Sequence, residues 1–273
     1  MSSMQIVLAS YGESPTEPSW WRGFLAVATS VAAALRVKYT HLELSSQGTN
    51  ALPTTKTYRY SDRAVEKLSL LFDERKAMNA AAIAAGPDGN RNIGATLDLG
   101  FSAPNALHPQ YRWLLIVDPA ILFGNPSRRP EEIVCWSLHE LGSVVPPKYA
   151  LVHLMPRESG PGFYFSELRT PKLTGEERAN LDRWIQLQSQ YREKIRDVYW
   201  GNLLSERHGG AKREALFRAV KEEVGEENLL RMGNQRILFF LPFDIRDEAS
   251  YEVKLAMWRR RLKGALTPYD VLI

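Results

Sequence analysis

At 273 residues the chain is long enough for one or two hydrophobic cores, and its 44% apolar and 24% charged residues exclude a disordered or coiled-coil protein. The lone cysteine, Cys135, excludes an internal disulfide and fits a reducing cytoplasm. A net charge of +4, interspersed rather than gathered in a stripe, speaks against a dedicated nucleic-acid binder.

In chain order, "MQIVLAS" reads as a first strand, and "MSSMQIVLASYGES" lacks the basic region and long apolar core of a secretion signal. Trp20, Phe24, Val27, Val31 and Leu35 recur at helical spacing. The apolar core of that helix, Gly23 to Leu35, is 13 residues long. That is short of the roughly twenty needed to cross a bilayer, so a soluble protein is expected. "KYTHLEL" predicts a second strand, followed by a polar loop from Ser45 to about Thr57. "SDRAVEKLSLLFDERKA" predicts an amphipathic helix capped by Ser61 or Asp62, with Val65, Leu68 and Phe72 inward. After the turn "GPDGN", Ala95, Leu97, Leu99 and Phe101 alternate with polar or small residues, the period of a half-buried strand. "YRWLLIVDP" is a more fully buried strand placed to pair with it antiparallel.

"RRPEEIVCWSLHELGS" places Pro130 in the first turn of a helix and Gly142 at its end. "KYALVHLMP" and "GFYFSEL" predict two further strands. "LTGEERANLDRWIQLQSQYREKI" opens on Thr174 and Glu177 at capping-box spacing, with Leu181, Trp184 and Ile185 on its buried side. Next, "VYWGNLLSERHGG" reads as a buried helix end and its turn. Leu216, Phe217, Val220 and Val224 then mark a short helix, "QRILFFLP" a late strand, and Tyr251, Leu255, Trp258 and Leu262 the last helix. Strands in adjacent pairs between helices indicate an α+β fold: a mixed or largely antiparallel sheet with helices mainly on one face. One domain over residues 1–273 is the simplest division, with two related halves as the alternative.

Chemical signatures are sparse. The histidines are His41, His108, His139, His153 and His208. "HELGS" begins like a zinc-protease helix but carries Ser143 where the second histidine is required. Cys135 and His139 stand four apart on one helix face, the spacing of a nucleophile and base or of two metal ligands, although packing explains them equally. His208, Gly209 and Gly210, ahead of Lys212 and Arg213, suit a phosphate-binding helix start, or simply a turn between helices. Asp98 on its strand and Asp118 at a strand end are candidate site carboxylates; a solvent-facing residue and a turn-forming Asp-Pro are the plainer readings. Tyr199 and Trp200 read as core before interface. No nucleophile elbow, Walker loop or dinucleotide fingerprint is present in the sequence.

Two regions carry a family likeness: "VYWGNLLSERHGG" followed by a short helix and "RILFFLP", and "LLFDERKAMNAA" followed by "NIGATLDLGFSAPN". On these the chain resembles immunity proteins of bacterial polymorphic-toxin and type VI secretion systems, notably the family numbered fifty-two and its type VI relatives. The resemblance implies a cytoplasmic, non-enzymatic protein that binds and neutralises a cognate toxin, with no catalytic residue, cofactor or metal. It leaves the toxin-facing residues and oligomeric state open. The +4 charge suits a toxin with a neutral or acidic docking face rather than a strongly basic nuclease. Two rivals follow from the residues themselves. One is a hydrolase or transferase using His139, His208 or a strand-end aspartate. The other is a nucleic-acid-associated protein using the basic cluster "WRRRLKG".

Overall fold

A computed structural model describes residues 4–12, 20–47, 53–73, 77–84, 97–102, 111–124, 129–167, 173, 175–187, 190–233 and 235–273. The chain divides into two compact units, Gly12–Pro146 and Met1–Tyr11 with Pro147–Ile273. The class is α+β, and each unit has its own part in that.

The Gly12–Pro146 unit contains helices α1 (Trp20–Leu35), α2 (Asp62–Asp73), α3 (Pro119–Leu122) and α4 (Pro130–Gly142). Its strands are β2 (His41–Gln47), β3 (Pro53–Arg59), β4 (Ala77–Ala84), β5 (Leu97–Ser102) and β6 (Tyr111–Val117). They run in the order β3-β2-β4-β5-β6, antiparallel at each pairing. β5 alternates buried and part-exposed residues, so Leu97, Leu99 and Phe101 enter the core. The expected pairing of the fifth and sixth strands is present, with Leu97 opposite Val117 and Phe101 opposite Trp113. α1 contributes Trp21, Phe24, Val27, Ala28 and Val31 to that core, and Phe24 meets Phe101 edge-on at 6.0 Å. Leu35, expected inside, is only half-buried at the last turn.

Two expectations in this unit need correction. The polar stretch after Ser45 is not one loop: β2 continues to Gln47, and β3 covers Pro53–Arg59. β3 is an edge strand whose Thr54, Thr55 and Lys56 face water, so it has no apolar alternation to read. Its ladder is reinforced by Ser45 and Thr55 hydroxyls 2.9 Å apart. Second, the helix expected to reach Ala77 stops at Asp73, and the alanine-rich "AMNAAAIA" is β4. Alanine favours helix locally, but pairing on both sides by β2 and β5 overrides that preference. Ser61 does cap α2, accepting from the Ala64 amide at 3.3 Å.

The other unit contains β1 (Met4–Gly12), β7 (Pro147–Pro156), β8 (Gly201–Leu204), β9 (Leu229–Met232) and β10 (Arg236–Phe240), ordered β1-β7-β8-β10-β9. β8 is antiparallel to β7 and β10, and β10 to β9. The helices are α5 (Pro161–Phe165), α6 (Gly175–Leu187), α7 (Arg213–Val224) and α8 (Tyr251–Leu266). β7, β8 and β10 are buried on both faces almost throughout. "VYWGNLLSERHGG" is therefore not a helix end. Its centre is the strand β8, whose four residues are too few to show a period. Gly201 is required there: a Cβ would lie 3.0 Å from Val152 and 3.2 Å from Phe240. "GFYFSEL" is likewise not a strand. Left-handed Gly160 (φ 66°) and Pro161 start the short helix α5, which turns Tyr164 and Phe165 inward. β9, absent from the sequence reading, is a four-residue edge strand. The capping threonine Thr174, the turn "GPDGN", Ala95 and His108 lie outside the described residues. Among the described residues no helix is long and apolar enough to cross a membrane.

Candidate functional site

The sequence-derived candidates separate once their surroundings are known. Cys135 is half-buried on α4, and burial, with Glu131 and Glu132 nearby, pushes its thiol up to about 11. It therefore holds its proton at neutral pH, the reverse of what a nucleophilic cysteine needs. His139 is exposed in the last turn of the same helix, where a cation suits the dipole. Ser143 donates to the Glu140 carbonyl at 2.6 Å, as a helix-end residue does. Asp118 caps α3, accepting from the Ala120 amide at 2.9 Å.

His208 does not face a phosphate cradle. It is fully buried, its Nδ1 accepts from the Ser205 amide at 3.0 Å, and the Ser205 hydroxyl lies 3.0 Å from the same nitrogen. Burial lowers its pKa to about 4, against the Lys194 and Ser205 backbone and Glu206, which favour the charged ring. Nε2 has no hydrogen bond of good geometry, although the Lys194 backbone bears on it electrostatically. Gly209 stands at φ 80° to turn the chain, and the Arg213 guanidinium is already engaged by Gln235 and Glu214. The glycines make a turn.

Asp98 is the carboxylate with an altered proton affinity. It sits part-exposed on β5, opposite Ile83 of β4 and Ile116 of β6, on the face away from Leu97 and Leu99. Burial raises its pKa to about 7, helped by the charge of Glu43 on β2. Small residues, Ala81 and Gly100, occupy the neighbouring row with Glu43. His41 shares Asp98's row through Ile83, with its Nδ1 2.8 Å from the Thr40 hydroxyl. A strand-face carboxyl that titrates near neutrality is able to exchange protons at physiological pH.

The densest polar constellation was missed from sequence and centres on Arg196 in the other compact unit. Arg196 is 1% exposed. Its guanidinium lies 3.9 Å from the Tyr164 ring centroid and 5.5 Å from that of Phe165. Nε donates to Asn180 Oδ1 at 2.8 Å and Nη1 to the Tyr164 carbonyl at 3.3 Å, while Nη2 has no partner among the described residues. Asn180 also takes the Tyr164 hydroxyl at 3.1 Å and donates to the Arg196 carbonyl at 3.0 Å. Burial works against the guanidinium's charge, but the tyrosine oxygens of Tyr199, Tyr164, Tyr11 and Tyr149 hold it above its ordinary pKa. The next residue, Asp197, is buried too, receiving the Val198 amide at 2.8 Å, Lys263 at 3.2 Å and Arg259 at 3.5 Å.

Around this pair the aromatic groups are kept neutral. His153 Nδ1 accepts from Tyr251 Oη at 2.8 Å, and Tyr251 accepts from the Leu154 amide at 3.0 Å. Burial first, then Arg259 and Arg196, drive the His153 pKa well down. Tyr149 and Tyr199 are driven well up, mainly by burial. The network ties α5, α6 and the start of β8 into one core, and its histidine and tyrosines do not titrate near neutrality. Its signal in sequence was a charged pair, Arg196–Asp197, set inside the apolar run from Ile195 to Trp200. Tyr199 and Trp200 are core, as expected; Trp200 donates to the Phe243 carbonyl at 2.9 Å and packs on Phe240 at 4.8 Å. The basic C-terminal cluster is largely engaged as well: Arg259 and Lys263 pair with Asp197, and Arg261 with Glu223. Among the described residues no three His, Cys, Asp or Glu side chains gather to hold a metal ion.

No protein-family model matches the chain. No curated protein matches it in sequence either. Its fold is similar to that of the solved structure described as "Pseudomonas aeruginosa T6SS protein PA0821". The likeness has a TM-score of 0.58 at 12% identity, and covers 98% of this chain and 73% of that one.

Proposed function

We propose that this chain is an immunity protein: it binds, in the cytoplasm, a toxin delivered between bacteria by type VI secretion, and neutralises it by occupancy rather than catalysis. The observation that carries this reading is the likeness of fold to the type VI protein of Pseudomonas aeruginosa across 98% of the chain. Two features of the molecule accord with it. The buried polar groups of the Arg196 network hold the core together. The thiol and the histidines singled out from sequence are exposed, capped or held neutral. Net +4 favours a partner whose docking face is neutral or acidic. The direct test is to express the secreted effector encoded beside this gene in a sensitive bacterium, with and without this chain, and to pull down the tagged chain. Survival only with this chain, and one stoichiometric partner, is the expected result. Killing in both cases, with no effector retained, would sink the proposal.

One observation favours an enzyme instead, a hydrolase built around a strand aspartate: Asp98 is raised to about 7 on a part-exposed sheet face. Under the immunity reading Asp98→Asn leaves protection intact. Loss of protection by a well-folded Asp98→Asn protein would favour the enzyme.

A further inference from the structure

α8 has two apolar stripes, and only one of them is used within the chain. Tyr251, Leu255, Trp258, Leu262 and Leu266 recur at helical spacing and are buried. On the opposite side, Val253 and Met257 stand one turn apart and are 75% and 57% exposed. Arg260 and Gly264 continue that line at the same helical spacing, and Ala256 flanks it; all three are exposed. Val253 is a poor helix former that gains little burial at this position, so the outer stripe contributes little to folding.

The charges single out the same face. Lys254 pairs with Asp247, Arg259 and Lys263 with Asp197, and Arg261 with Glu223. Arg260 alone among the cations of α8 has no partner among the described residues, and it lies in line with Val253 and Met257. An unpaired arginine beside exposed valine and methionine has the composition of an interface anchor, because arginine and methionine are enriched at interface centres. Gly264 has nothing within 4 Å of where a Cβ would stand, so a partner is able to approach the backbone there.

Resting on the immunity reading above, we infer that the outer stripe of α8 (Val253, Met257 and Arg260) is the surface that docks the toxin. The partner's complementary face is a shallow apolar groove bordered by at least one carboxylate, which takes Arg260. The net charge of +4 steers such a face toward the helix.

The test uses the full chain and, as probe, the effector that the tagged protein retains, purified and titrated against each variant. Val253→Asp combined with Met257→Asp is expected to weaken binding about a hundredfold. Arg260→Glu is expected to weaken it about tenfold and to flatten its dependence on salt. Leu70→Asp serves as a control of matched chemistry, because Leu70 is 58% exposed on α2 in the other compact unit, and binding should be unchanged. Circular dichroism and thermal unfolding check that each variant folds. Retention of no effector by the wild-type chain would overturn the immunity reading and this inference with it. An effector bound equally by wild type and the double variant would overturn the inference alone. Dimerisation of the free chain that the double variant abolishes would assign the stripe to a second copy, and would also overturn it.

Discussion

The two compact units bury charge in opposite ways. In the C-terminal unit, Arg196 keeps its charge inside the core because flat aromatic faces, a carbonyl and an amide oxygen surround the guanidinium. In the Gly12–Pro146 unit, Asp98 has no such surroundings; burial and Glu43 favour the uncharged form, and its proton stays on to about pH 7. A delocalised cation has many acceptors and ring faces to use in a protein interior. A carboxylate needs several donors, and the strand face around Asp98 offers alanine, glycine and isoleucine.

The largest expected effect tests the cationic side of that contrast. Arg196→Ala should lose about 4 kcal/mol in urea unfolding, since it leaves a cavity and strips the Tyr164 carbonyl of its donor. Arg196→Met, which refills the volume, should lose less than half of that. Equal losses would mean that the hydrogen bonds, not the packing, dominate.

Next comes the response to acid, which has opposite signs in the two units. His208 is folded with a pKa near 4, below its ordinary 6.5. Its stabilising contribution is complete above pH 6.5 and is lost as pH falls toward 4, a change of about 3 kcal/mol, and His153 adds a loss of the same sign. Hydrogen exchange of β8 and β10 amides should quicken over that window, and His208→Asn should blunt the change. Asp98 works the other way. Its folded pKa of about 7 exceeds the ordinary 3.8, so its contribution is complete below pH 3.8 and is lost as pH rises toward 7. Asp98→Asn should therefore stabilise the protein at pH 8 by about 2 kcal/mol, a figure reduced for the group's partial exposure, and should slow exchange in β4 and β5. Exchange that changed with pH in the same direction in both units would break the comparison. The smallest expected effect is on the outer face of α8. Met257→Ser should shift the unfolding midpoint by less than about 0.5 kcal/mol, as befits a side chain that packs on nothing.

Much of this architecture follows from local pattern. Phe24, Val27 and Val31 mark α1, alternation marks β5, and Leu255, Trp258 and Leu262 mark α8, because each element has one wet side and one dry side. Where both sides are dry or both are wet, pattern fails. β8 is buried all round and β3 is an exposed edge, so neither shows a period to read. The alanines of β4 are helical by preference and become strand because two neighbours supply their hydrogen bonds.

The same division holds for the candidate sites. By itself the sequence determined the α+β class, the lone thiol, the absence of a second histidine at position 143, and a likeness carried by structural residue types. It listed Asp98 as a candidate without its raised proton affinity, because that comes from burial against β4 and β6 and from a charge on β2. Tertiary structure alone decided that Arg196 is enclosed by Tyr164, Phe165 and Asn180, and that Arg260 is left without a carboxylate while its neighbours on α8 are matched. Hydrophobic period is a property of consecutive residues, but the environment of a charge depends on residues brought together from distant parts of the chain.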